Sequence, residues 1–113
     1  MTRYLISFPS TAMDVPDEKI PDVARDGHAV IQEAKDAGVY IFSGGLNEDV
    51  EPVLVPSDGT VTDGIYPDSK ELDGGFAIID VPSREAALEW ATKIAVASRC
   101  SQEVREFQFD PLV

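Results

Sequence analysis

The sequence predicts an α+β fold of order β-α-β-(β hairpin)-β-α-β, with residues 1–113 forming one domain. Three observations predict it. Two β-rich runs, "RYLISF" and "GGFAIIDV", each stop at a proline. Two stretches carry apolar residues at helical spacing, and the turn clusters Asp58-Gly59 and Asp63-Gly64 fall between the second and third long elements. At 113 residues and 43% hydrophobic content the chain can build one core.

The first strand covers Arg3 to Phe8 and ends at Pro9. A loop with two prolines and three acids follows, and Pro21 suits the first turn of the next helix. From Ile20 to Ala37, the residues Ile20, Val23, Ala24, Ile31 and Ala34 recur at helical spacing around Gly27, with Gly38 as the stop. "VYIFSGGL" is a strand running into Gly44 and Gly45. "EPVLVPSDGTVTDG" reads as a hairpin turning at Asp58-Gly59. After "GGFAIIDV", Ser83 caps the helix "REAALEWATKIAVA", with Glu85 in its first turn and Ala86 where a full capping box needs Glu or Gln. "EVREFQF" alternates and gives the last strand.

This order places two helices on one face of a mainly antiparallel sheet, a ferredoxin-like arrangement. The opposite sheet face then needs cover, which a second copy packed face to face would supply, so a homodimer is expected.

The formal charge of -12, with a pI near 4.2, repels phosphate backbones and anionic surfaces, which excludes nucleic acid as a natural partner. No apolar run approaches the ~20 residues of a membrane helix, so no membrane association is expected. A lone cysteine, Cys100, and no signal-like opening point to the cytoplasm. No cofactor motif or metal-ligand spacing is present: the glycine pairs lack the strand-GxGxxG-helix context of a nucleotide site, and one histidine has no partners at zinc spacing.

The run "VTDGIYPDSKELDGGFAIIDVPSREAALEWA" closely resembles the signature of the DGPF proteins, in the YCII-related family of dimeric α-β barrels. The family run is approximately V-T-D-G-P-F-x-E-T-K-E-x-x-G-G-[FY], then an apolar strand and a helix bearing E-A-L-E-W-A. Asp63, Gly64, Lys70, Glu71, Gly74, Gly75 and Phe76 match it, whereas Ile65, Tyr66, Asp68 and Ser69 stand where the family has Pro, Phe, Glu and Thr. Gly44-Gly45-Leu46 and Glu103-Val104-Arg105 extend the likeness along the chain. The resemblance implies a bacterial homodimer. It leaves the activity poorly defined, since most such domains are uncharacterised and some relatives look like lyases or isomerases using a His-Asp pair.

On that resemblance His28, on the first helix at the edge of its apolar face, is the candidate general acid or base, and Asp63 the carboxylate that orients it. The plainer alternatives are an exposed surface imidazole and an Asx-type turn residue ahead of Gly64. Gly44 and Gly45, like Gly74 and Gly75, offer backbone amides to a small anionic ligand, or serve as turn and bulge glycines. Tyr66 is either a hydrogen-bonding lid or an aromatic plug under its loop, the plug being preferred. Lys70 and Glu71 either fix the loop, the preferred reading, or face a ligand carboxylate, with Lys70 the more plausible contact; as neighbours they are expected to find separate partners rather than each other. Trp90 and Phe76 read as core or dimer packing, and Cys100 as a structural thiol. The leading expectation is a small-molecule binding or sensing accessory protein acting as a homodimer. A cofactor-independent lyase or isomerase using His28 and Asp63 is the alternative.

Overall fold

The structure, a computed structural model, describes residues 1–70 and 72–113, so the expectation about a partner for Glu71 lies outside the described residues. Among the described residues, six strands and two α-helices follow one another as β1 (Thr2–Phe8), α1 (Ile20–Asp36), β2 (Tyr40–Gly45), β3 (Val53–Leu54), β4 (Thr62–Asp63), β5 (Gly75–Val81), α2 (Arg84–Ser98) and β6 (Glu103–Glu106). Single 3-10 turns at Ser10–Ala12 and Asp17–Lys19 carry the chain from β1 into α1.

Four strands form one antiparallel sheet in the order β2-β5-β1-β6. β5 runs antiparallel to both of its neighbours, so β1 and β2 point the same way and α1 is the crossover between them, as in ferredoxin-like α+β folds. Alternation along the strands sends Tyr4 and Ile6 of β1 and Ile79 and Val81 of β5 to the helical face, where they form the core with Ala34, Val39, Ala87 and Ala91. The contacting face of α2 is built from alanines, which lets the helix backbone approach the sheet closely. Tyr4 also donates a 3.1 Å hydrogen bond to Glu106, tying β6 to β1; burial, and then this carboxylate, raise its phenol above the ordinary 10.0.

The helix ends follow their local chemistry. Pro21 sits in the first turn of α1, where its missing N–H costs nothing, and Gly38 (φ 75°) takes the left-handed position after its last turn. The Ser83 hydroxyl accepts from the Ala86 N–H at 3.1 Å and caps α2. α2 ends on Arg99 in the left-handed region (φ 60°), and its guanidinium reaches back to Asp26 of α1 at 2.9 Å, an ion pair that joins the two helices.

The hairpin turning at Asp58-Gly59 is present, but β3 and β4 pair only with each other, in a separate two-stranded sheet. This arm leaves and re-enters the body between β2 and β5. With it the radius of gyration is 15.9 Å, against about 13 Å for an ordinary domain of this length. Two expectations are corrected here. The last strand ends at Glu106 rather than continuing through Phe109, because Glu106 already pairs with Tyr4 near the start of β1 and little partner backbone remains beyond it. Tyr66 is 74% exposed on the arm and plugs nothing within its own chain.

Candidate functional site

Between α1, the end of α2 and the helical face of the sheet lies a cavity of about 660 Å³. That volume falls within the roughly 300–1,000 Å³ typical of small-molecule sites. It arises because the apolar stripe of α1 is longer than the core beneath it. Ala34 packs into the core, while Ile20, Val23, Val30 and Ile31 of the same helix, with Ile94 of α2, face the hollow. Phe8 and Met13 also line it.

The rim is made where three strands end together. Phe8 at the end of β1 pairs with Gly75, and Gly45 at the end of β2 pairs with the same residue from the other side. Three contacts lock this junction: the Asp73 carboxylate accepts from the Ser10 N–H at 3.0 Å, the Leu46 N–H donates to the Gly74 carbonyl at 3.0 Å, and the Phe8 ring lies over Gly75. Glycine is required at 74 and favoured at 75. A Cβ on Gly74 (φ 87°) would lie 2.0 Å from the Phe8 carbonyl oxygen, and one on Gly75 would lie 2.7 Å from the Phe8 ring. The Asp-Gly-Gly end of the signature is thus the clasp that shapes the cavity's rim.

His28, Gly44 and Gly45 all line the cavity, with His28 exposed at its edge. Asp63, Tyr66 and Lys70 do not line it. Asp63 is exposed on β4, opposite Val53, and the chain beyond it is held by the Gly64 N–H donating across the hairpin to the Pro52 carbonyl and by the Ser69 hydroxyl donating to the Tyr66 carbonyl. The structure therefore brings His28 together with the glycine pair and leaves the other three candidates on the arm. The acidic residue that lines the cavity with His28 is Glu48, which the sequence reading did not single out.

Other wall residues were missed as well. Ser10 and Met13 of the β1–α1 connection, Ser43 of β2 and Ser98 of α2 come from three separate segments whose convergence no local pattern signals. Asp73 had a visible cue, an acidic residue directly before a glycine pair at a strand start. Phe76, read as packing, lines the cavity, and Trp90 packs against the core. Among the described residues no three His, Cys, Asp or Glu side chains cluster to hold a metal ion. The polar groups instead suit hydrogen bonding, with a single imidazole at the edge of an apolar hollow.

On the opposite sheet face, Ile41 and Phe42 are 44% and 59% exposed, beside half-buried Leu5 and Ile78. A second, smaller hollow of about 440 Å³ lies there between the strands and the C-terminal segment from Phe107 to Val113. The Asp80 Oδ1 on this face is buried with no hydrogen-bond partner among the described residues. No helix among the described residues is long and apolar enough to cross a membrane.

No curated protein matches the chain. The family model described as the YCII-related domain matches residues 8–108, from the end of β1 past the end of β6, and so takes in every residue of the cavity wall but Ile6. With the sheet order, the clasp and this match agreeing over nearly the whole sequence, the chain belongs to the YCII-related domain family.

Proposed function

We propose that this chain is a small-molecule binding or sensing accessory protein that works as a homodimer, with the cavity under α1 as its ligand site. The observation that carries the reading is the cavity itself, an apolar hollow of about 660 Å³ with a few polar groups at its edge and a rim fixed by Asp73, Gly74 and Gly75. The exposed Ile41 and Phe42 support the dimer, since an antiparallel sheet with helices on one face leaves apolar side chains on the other for a second copy to cover. In this reading Gly44 and Gly45 form the backbone edge of the site. Tyr66, Lys70 and Asp63 take part only if a second copy carries them to it. A cytoplasmic location and a bacterial source fit the same reading.

The test is a fragment screen on the intact chain, followed through the methyl NMR signals of Met13, Ile20, Ile31 and Ile94, with sedimentation equilibrium in parallel. Saturable shifts confined to these methyls, in a protein sedimenting as a dimer, support the reading. Shifts confined to Ile41 and Ile78, on the other sheet face, would overturn it.

One observation favours a second reading, a cofactor-independent lyase or isomerase: the only imidazole in the chain stands at the cavity edge. There His28 would move a proton to or from an enolisable substrate. Its orienting carboxylate would be Asp63 only if the arm of a second copy delivers it. Loss of turnover in His28→Ala with ligand binding retained supports this chemistry, and unchanged turnover removes His28 from it.

A further inference from the structure

Gly27 occupies the eighth position of the 17-residue helix α1, where glycine costs about 0.5–1 kcal/mol relative to alanine. Nothing in the fold requires it there. Its backbone is helical, and a Cβ added to it would meet no atom within 4 Å beyond its chain neighbours and the adjoining backbone of its own helix. It does line the cavity, between Val23 and Ala24 on one side and Val30 and Ile31 on the other. The missing side chain thus leaves a bare stretch of helix backbone on the wall of an open hollow. Open space beside a mid-helix glycine with no packing partner is what a site leaves when a ligand fills that space.

The wall also restricts the charge of what can enter. Among the described residues no lysine or arginine lines it. Two of its three serines are already engaged: Ser43 shares a 3.0 Å hydrogen bond with Tyr40, and Ser98 donates to the Ile94 carbonyl while accepting from Gln102. That leaves the side chains of Ser10, His28 and Glu48, beside the Gly44-Gly45 backbone edge, to meet a polar group of the ligand. An anion there would be desolvated against apolar side chains without a fixed cation, in a chain whose net charge is already -12.

Resting on the reading of this cavity as the ligand site, we propose that its ligand is an uncharged, largely apolar small molecule. It lies against the α1 backbone at Gly27 and turns its one polar end toward His28 and Ser10. The same wall disfavours carboxylate and phosphate metabolites.

The experiment compares two fluorescent probes that share one ring skeleton, neutral N-phenyl-1-naphthylamine and its sulfonated counterpart 8-anilinonaphthalene-1-sulfonate, on the wild type and on Gly27→Leu. Leucine is a better helix former than glycine, its Cβ meets open space and its remaining atoms extend into the hollow, so this variant keeps or raises the melting temperature while it occupies the wall. The expected result is that the neutral probe binds at least about tenfold more tightly than the sulfonate and that Gly27→Leu weakens it by about tenfold or more. If the sulfonate binds as tightly as the neutral probe and Gly27→Leu displaces both, the uncharged class is overturned while the cavity stands as the ligand site. Binding of the neutral probe unaffected by Gly27→Leu, or no binding of either probe, overturns the cavity reading as well.

Discussion

Replacing Gly74 by alanine should be among the most damaging single-methyl additions this chain can suffer. Two costs combine. At φ 87° an L-residue is strained by about 1–2 kcal/mol. The new Cβ would also stand 2.0 Å from the Phe8 carbonyl oxygen, 2.8 Å from the Ser10 nitrogen and 2.9 Å from the Pro9 carbonyl carbon, all backbone atoms that cannot rotate away. Forcing the end of β1 outward adds a further cost of about 1–3 kcal/mol, as overpacking does. It also strains the Asp73–Ser10 and Leu46–Gly74 hydrogen bonds. The total expected loss is about 2–5 kcal/mol. Gly38→Ala is the control, because Gly38 has a similar φ of 75° but open space around its Cβ, so it bears the first cost alone. Urea unfolding of both variants separates strain from clash. Losses equal within about 0.5 kcal/mol would refute the clasp argument and leave backbone conformation as the whole reason for glycine at 74.

Three further outcomes are expected. Gly27→Ala should raise stability by about 0.5–1 kcal/mol, read as a higher urea midpoint, since helix propensity improves and no atom is displaced. Ser83→Ala should lower stability by about 1 kcal/mol through loss of the hydroxyl that caps the Ala86 N–H, and Ser83→Asn should restore most of it. Hydrogen bonding to Arg99 holds the Asp26 carboxyl below its ordinary 3.8. A depressed folded-state value contributes stability above that ordinary value, and the contribution is lost as pH falls through the lower, folded one. The urea-midpoint gap between wild type and Asp26→Asn should therefore be wider at pH 7 than at pH 2, and a gap independent of pH would discount the pair.

The elements that could be read from the sequence carry their signals locally. β5 declares itself through "FAIIDV" between a glycine pair and a proline, α2 through its Ser83 cap, and the end of α1 through Gly38. Where β6 stops could not be read that way, because strand length is set by the partner and β1 begins at Thr2. The arm was recognised as a hairpin. That it projects from the body, and so exposes Tyr66 and keeps Asp63 off the cavity wall, depends on tertiary contacts it does not make. His28 and the Gly44-Gly45 pair could be named because the family resemblance and the helix periodicity pointed to them. Glu48 and Met13 meet them only through the convergence of distant segments, which leaves no periodic trace.

The strand order β2-β5-β1-β6 has a consequence for a broken chain. A cut at the exposed tip of the arm, at Gly59, puts β1 and β2 on one fragment and β5 and β6 on the other. Every neighbouring pair in the body sheet, β2 with β5, β5 with β1 and β1 with β6, then joins one fragment to the other, and so do the contacts between α1 and α2. Neither half has a sheet of its own to fall back on. A protease that nicks the arm would leave the halves zipped together, and the halves made separately would be natural complementation partners, each completing the other's sheet.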